Sequence, residues 1–231
     1  MIPKIIHQIW EGRTEPLPDA WQQLGETWKN CHPDWQYTLW DGNRMETFIK
    51  ENYPDFEAVY ANYQYSVQRW DAIRYLILYK MGGLYADCDY ECLDAFDDYI
   101  TNDGRCYFSM EPEAHCRAFG KDLYFNNALM ITPPNHPFFE HIIKRLIETP
   151  VQYTGNKFHD VLTSTGPLML TALYEGFSNK SLVCFLPAEL VSPWSKMDVQ
   201  NYASDGADEG ALEKKLEKAI AIHYFGGSWV F

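Results

Sequence analysis

The stretch Gly82-Gly83-Leu84-Tyr85-Ala86-Asp87-Cys88-Asp89 is a short apolar segment that ends in two carboxylates separated by a single residue. Alternate side chains of a strand share a face, so Asp87 and Asp89 are predicted to point the same way at its tip. Like charges held that close raise each other's pKa. A divalent cation between them keeps both ionised, and hard carboxylate oxygens suit Mn²⁺ or Mg²⁺, ions that commonly serve bound phosphates. The stretch therefore predicts a metal–diphosphate site at the end of a strand. Asp-x-Asp alone also fits an ordinary acidic loop, so the flanking sequence has to decide.

Upstream, Ser66 to Met81 reads as one amphipathic helix, with Val67, Trp70, Ile73, Ile77 and Met81 at helical spacing. Gly82-Gly83 supplies its stop. Asp71 and Arg74 are three apart and share a helix face. On an open surface such a pair contributes less than about 1 kcal/mol. Here the helix leads straight into the Asp-x-Asp strand, which brings a fixed donor and acceptor within reach of anything held at the metal.

Composition bounds the alternatives. The chain has 231 residues and 46% hydrophobic content, enough for one core and one α/β domain. No apolar run approaches the roughly 20 residues of a membrane span. Met1-Ile2-Pro3-Lys4 lacks the apolar stretch of a signal peptide, from which a bacterial, cytoplasmic protein is expected, or one at the inner face of the membrane with at most peripheral contact. A net charge of −13 argues against nucleic acid as a partner. The six cysteines are expected to be reduced thiols. Cys88, Cys92 and His115-Cys116 make a zinc site conceivable, but no pair shows the close spacing of a zinc knuckle.

Lys4 to Trp10 reads as a buried strand, about 20–30 as a helix, Gln36 to Trp40 as a strand and Arg44 to Asn52 as a helix. Strands follow at Tyr107 to Met110 and Ala128 to Thr132, then helices at Pro137 to Glu148 and Leu168 to Tyr174. Asn201 to Gly210 is polar and acidic and reads as a mobile loop. A helix over about 211–220 and a strand at Ile222 to Phe225 close the chain.

Asp71-x-x-Arg74-Tyr75, Leu78-Tyr79 and Gly82-Gly83-x-Tyr85-x-Asp87-x-Asp89 together resemble the core signature of the Asp-x-Asp sugar-binding glycosyltransferases. That group includes initiating mannosyltransferases of the yeast type, α-1,4-galactosyltransferases and bacterial capsule enzymes. Ile2-Pro3-Lys4-Ile5-Ile6-His7-Gln8-Ile9-Trp10 resembles the family's first strand, and His223-Tyr224-Phe225-Gly226-Gly227-Ser228-Trp229 its closing motif. Asp87 follows Asp71 by sixteen positions, a spacing that resembles that of glucosylating clostridial toxins.

The resemblance implies a GT-A type, Rossmann-like α/β fold in a single domain, with a mixed central sheet flanked by helices. Residues 1–110 would handle the nucleotide, and 111–231 the acceptor side and a C-terminal lid. It implies a retaining, Mn²⁺- or Mg²⁺-dependent transfer of a hexose from a nucleotide diphosphate sugar to a glycan or lipid-linked sugar, in capsule, lipopolysaccharide or exopolysaccharide synthesis. A UDP-sugar is favoured, with GDP-mannose as the alternative donor.

Within that frame Asp89 ligates the metal, Asp87 touches the metal or the ribose, and His223 is the third ligand. Trp10 stacks on the base, Asp71 and Arg74 hold sugar hydroxyls, and Tyr85 belongs to the same donor-binding group. Ser228 and Trp229 close over the diphosphate, with Gly226 and Gly227 giving close approach and hinge freedom. One of Asn126 and Asn127 faces the anomeric carbon. An amide is a weak nucleophile, so a front-face displacement is expected in place of a covalent intermediate. Glu111 to Tyr124, Thr165-Gly166-Pro167 and the Asn201 to Gly210 loop are the expected acceptor walls.

Two other readings stay open at the level of sequence. A haloacid-dehalogenase-type phosphatase would use Asp87 as nucleophile, although Glu91 stands where such enzymes have Thr or Val. A non-catalytic sugar-binding protein would account for the aromatic content of 16%.

Overall fold

Gly82 and Gly83 set where the helix stops and the decisive strand begins. Both have positive φ, 67° and 101°. A Cβ on Gly83 would lie 2.5 Å from the Ile5 carbonyl oxygen, and one on Gly82 would lie 2.7 Å from Pro134 Cδ. Any side chain here would meet both backbone strain and a collision. The computed structural model describes residues 1–204 and 208–226.

Among the described residues the strands are β1 (Ile5–Ile9), β2 (Gln36–Trp40), β3 (Gly83–Ala86), β4 (Tyr90–Cys92), β5 (Cys106–Met110), β6 (Phe125–Thr132), β7 (Val183–Leu186) and β8 (Ala221–His223). Six of them form a mixed sheet in the order β2-β1-β3-β6-β5-β7. β1 runs parallel to β2 and β3, β5 runs parallel to β7, and β6 is antiparallel to both β3 and β5. The carboxyl ends of β1, β3 and β5 and the amino end of β6 therefore share one sheet edge. β4 and β8 make a separate antiparallel ribbon in which Tyr90 lies opposite His223.

The helix Ser66–Met81 is buried over most of its surface, not amphipathic as its spacing predicts. It lies against β3, β6 and the helix Pro137–Glu148. Ile73, Leu76 and Ile77 enter the larger core with Phe108, Phe125, Phe138 and Phe139. On the other side of the sheet Ile6, Trp28, Leu84 and Ile131 form a second core. No helix among the described residues is long and apolar enough to cross a membrane.

Several elements depart from the sequence reading. β3 ends at Ala86, and Asp87 to Asp89 form a turn in which the Tyr90 N–H donates to the Asp87 carbonyl at 3.1 Å. β6 begins at Phe125 instead of Ala128, and β8 stops at His223. β4, β7 and the helices Glu57–Asn62, Glu113–Ala118, Lys157–Ser164 and Ala188–Val191 were not expected. The expected loop at Asn201 to Gly210 is entered by the helix Lys196–Ala203 and left by the helix Glu209–Leu216. Caps explain several of these short polar helices: Ser195 and Asp198 form a capping box, and Asn156 and Asp208 cap the starts of theirs. Such signals involve single residues, which apolar periodicity does not register.

His7, read as structural, is fully buried in β1, where Nε2 bonds the Gly82 carbonyl at 3.0 Å and Nδ1 accepts from Trp40 Nε1 at 3.1 Å. Burial lowers its pKa to about 4, only partly opposed by the Gly82 bond. The native state thus disfavours the proton that the unfolded chain accepts near pH 6.5. Stability is complete above that pH and is lost as pH falls toward 4. Urea titrations of the wild type from pH 7 to pH 4 should show about 3 kcal/mol lost through this group, and His7→Gln should remove that portion of the pH dependence.

Candidate active site

The shared sheet edge opens into a cleft of about 350 Å³. Arg74 organises its floor. The guanidinium is buried and lies 3.3 Å from Asp71 Oδ1 and 3.1 Å from Asp87 Oδ1, and it donates to the Asn127 carbonyl at 2.9 Å. It also sits over the Tyr85 ring, 4.7 Å from the centroid, while the Tyr85 hydroxyl donates to Asp87. Burial works against its charge, but Asp87, Tyr85 and Asp71 outweigh this and hold its pKa above the ordinary value. Asp71 and Arg74 are therefore a buried pair and not a surface one.

Asp71 is fixed on both oxygens. Oδ1 accepts from Asn127 Nδ2 and Oδ2 from Thr165 Oγ1, each at 2.9 Å. Thr165 stands behind Asp71 as its anchor, whereas its expected place was in the acceptor wall. Burial drives the Asp71 pKa up, with Arg74 and Thr165 opposing.

Asp87, Asp89 and His223 converge beyond β3. One ligand atom of each lies within 4.8 Å of the others, and among the described residues no other group of three metal-ligating side chains meets this closely. The carboxylates meet through the turn after Ala86, not through strand alternation. The β4–β8 ribbon delivers His223, whose ring stacks on Tyr90 at 4.4 Å and whose Nε2 lies 3.4 Å from Asp89 Oδ1. Asp89 Oδ2 accepts from the Gly226 N–H at 2.7 Å. A Cβ on Gly226 would lie 2.7 Å from Trp21 and 3.2 Å from Asp89, so a side chain here would have to displace one of them.

Burial raises Asp87, Arg74 opposes it and Asp89 adds to it, leaving its pKa above the usual range. For Asp89 burial is outweighed by His223 and the Gly226 N–H, and its pKa falls. His223 is lowered by burial and raised more by Asp89. Two carboxylates and an imidazole of this kind suit Mn²⁺, with Mg²⁺ less favoured by the nitrogen ligand. The cysteines and His115 join no such group among the described residues, so the zinc reading has no site.

Trp10 lines the same cleft, with its indole N–H donating to the Glu15 carbonyl at 2.9 Å and its ring edge-on to Trp21 at 5.2 Å. Asn126 and Asn127 line it from the start of β6. Gly227, Ser228 and Trp229 lie outside the described residues.

A family model described as the glycosyltransferase sugar-binding region containing the DXD motif matches residues 18–105. The chain is 33% identical over 180 residues to inositol phosphoceramide mannosyltransferase 2 of Schizosaccharomyces pombe, covering 78% of this chain and 48% of that protein. It is 31% identical over 276 residues to the initiation-specific alpha-1,6-mannosyltransferase of Candida albicans, covering 98% of this chain and 72% of the relative. The chain belongs to the DXD glycosyltransferase family. It spans about half the length of several relatives it matches, 48% of the first. The solved PaToxG glycosyltransferase shares the fold at 18% identity, with a TM-score of 0.55 over 92% of this chain and 79% of that one. The architecture is thus the GT-A type, and membership of the DXD glycosyltransferases gives the phosphatase alternative no support.

Trp21 lines the cleft of this DXD protein without having been singled out, and His115, raised from sequence only for a zinc site, lines it as well. Trp21 is one of eight tryptophans and carries no sequence signal of its own. From sequence Glu111 reads only as part of an acceptor wall; it stands just before the helix Glu113–Ala118 and pairs with His115 in that helix's first turn.

Replacing Arg74 leaves the buried Asp71 and the partly buried Asp87 without their counter-charge. Arg74→Met is expected to lower the unfolding free energy by about 3–5 kcal/mol at pH 7 in urea titrations. Arg74→Lys should not restore it, because an ammonium cannot fork between Asp71, Asp87 and the Asn127 carbonyl.

Proposed function

We propose that the protein is a retaining, metal-dependent glycosyltransferase that moves a hexose from a nucleotide diphosphate sugar to a glycan or glycolipid. The carrying observation is the convergence of Asp87, Asp89 and His223 at the end of β3, beside the Asp71–Arg74–Asn127 cluster. The relatives are named mannosyltransferases, which favours mannose and hence GDP-mannose ahead of the UDP-sugar expected from sequence. The name inositol phosphoceramide mannosyltransferase favours a glycolipid acceptor. These relatives are yeast proteins, so a bacterial capsule setting and a bacterial cytoplasm gain no support.

In this reading Trp10 holds the base, and Asp71 and Arg74 fix the transferred sugar, Asp71 by accepting from its hydroxyls. Asp87, Asp89 and His223 would hold Mn²⁺ or Mg²⁺, which when bound neutralises charge on the diphosphate leaving group. Asn127 is the amide assigned to the anomeric carbon. Both ends of Asn126 are engaged, Nδ2 donating to Glu111 Oε1 and Oδ1 accepting from the Ala128 N–H, each at 3.0 Å. Asn127 commits its nitrogen to Asp71, leaving its side-chain oxygen available for the developing positive charge. The bond from the anomeric carbon to the diphosphate breaks as the acceptor oxygen bonds on the same face, and the leaving phosphate takes the acceptor's proton. Residues 1–110 carry most of the donor contacts and 111–231 the acceptor side.

The test is calorimetric titration of GDP, UDP, GDP-mannose and common UDP-sugars, with and without Mn²⁺, on wild type and Asp89→Ala. Mn²⁺-dependent binding of one nucleotide, lost in the variant, is the expected result and names the base. Absence of nucleotide binding under every metal condition would sink the reading, and binding without turnover of any sugar conjugate would favour a non-catalytic sugar-binding protein.

A further inference from the structure

Strand order turns the sheet edge into a ruler. Trp10 follows β1, Asp87 follows β3, Asn126 and Asn127 open β6, and Glu111 follows β5; these strands are neighbours in that order. Adjacent strands lie about 4.8 Å apart, so β1 to β5 spans roughly 14 Å, the scale of an extended nucleotide sugar. With the base at β1, the diphosphate at β3 and the transferred sugar at β6, the group facing the next substrate stands at β5. That group is Glu111.

Glu111 is buried yet lines the cleft. Its Oε1 accepts from Asn126 Nδ2 at 3.0 Å, and its Oε2 lies 2.6 Å from His115 Nδ1. His115 Nε2 accepts from the Lys196 backbone N–H at 3.1 Å. An acceptor nitrogen at Nε2 places the ring proton on Nδ1, so His115 donates to Glu111 and acts as a positioning residue. A carboxylate offers about four lone-pair sites, of which these two bonds use half. Beside it, Phe119 and Tyr124 pack at 4.8 Å on the same cleft wall, and Phe119 stays 36% exposed. The Glu111 N–H donates to the Tyr124 carbonyl at 3.0 Å, which ties carboxylate and aromatic wall together.

A fixed carboxylate next to an aromatic wall matches one kind of ligand: a ring with hydroxyls on its edge and C–H bonds on its face. We infer that Glu111 receives a hydroxyl of the acceptor, with Phe119 and Tyr124 as the platform for its ring, and that the acceptor group is a ring polyol, a sugar or a cyclitol. This rests on the glycosyltransferase reading above. Glu111 binds and orients the hydroxyl and does not take its proton.

The experiment follows nucleotide release from the donor identified by calorimetry, in Mn²⁺, against rising concentrations of octyl α-mannoside, octyl β-galactoside and myo-inositol. One of these probes should accelerate release in the wild type. Glu111→Gln should raise its half-saturating concentration by about 10–100-fold, the effect of losing a charged hydrogen-bond acceptor. Nucleotide affinity in the same variant should stay within about twofold of wild type. Phe119→Ala, at an exposed position that does not threaten folding, should shift the same concentration by about 3–10-fold.

An unchanged acceptor response in Glu111→Gln would overturn the assignment. So would a loss of nucleotide affinity as large as the loss of acceptor response, which would mark Glu111 as a support for Asn126 only. A wild type that binds nucleotide but answers to none of the three probes would also overturn it. A wild type that binds no nucleotide would instead remove the underlying reading, and the titration separates that case.

Discussion

One buried guanidinium holds the site together. Arg74 touches carboxylates from its own helix and from the end of β3, together with a carbonyl of β6, and its plane rests on Tyr85. A charge so far from water is tolerated only when paired and hydrogen-bonded throughout. The need runs the other way as well: Asp71 and Asp87 are both desolvated and both have raised pKa values despite Arg74. The cluster therefore fixes helix, β3 and β6 in one relative position. The same arrangement leaves Asp87 and Asp89 with more negative charge than Arg74 offsets, a charge that a divalent cation would neutralise.

The rest of the site follows from how the sheet is wound. Parallel β1 and β3 put Trp10 and Asp87 on one edge, and antiparallel β6 brings its first residues, not its last, to that edge. A chain running through β6 the other way would place Thr132 there and bury the asparagines at the far end. The β4–β8 ribbon is three residues long on each side, and its register alone sets His223 beside Asp89. Its stability comes from cover: Tyr90 is fully buried and stacks on His223, and its carbonyl accepts from Trp28 Nε1 at 2.9 Å. Across a chain of net charge −13, the positive charge that Arg74 brings to the cleft is thus local and already paired with Asp71 and Asp87.

How legible the molecule was in its sequence varies by element. The helix Ser66–Met81 and its glycine stop were plain, because an uninterrupted helical run and a double glycine are local signals. The same helix differs in exposure: its apolar spacing predicts one open face, whereas packing on several sides and the interior Asp71–Arg74 pair cover most of its surface. β4 and β7, at three and four residues, carry too little pattern to stand out from loops. Glu111 and His115 illustrate another limit, since a carboxylate and an imidazole four apart are unremarkable until a cleft surrounds them.

By itself the sequence determined that a carboxylate pair ends a strand, that a helix with an Asp–Arg pair precedes it, and that the start, middle and end motifs lie in this order. These are properties of near neighbours along the chain, where spacing and glycine placement act directly. The tertiary structure alone decided that the carboxylates converge through a turn, that Asn127 and not Asn126 keeps a side-chain oxygen unspent, that Thr165 backs Asp71, and that Glu111 stands three strands along the edge from Trp10. Those outcomes depend on strand order, register and burial, quantities set by packing between segments many tens of residues apart.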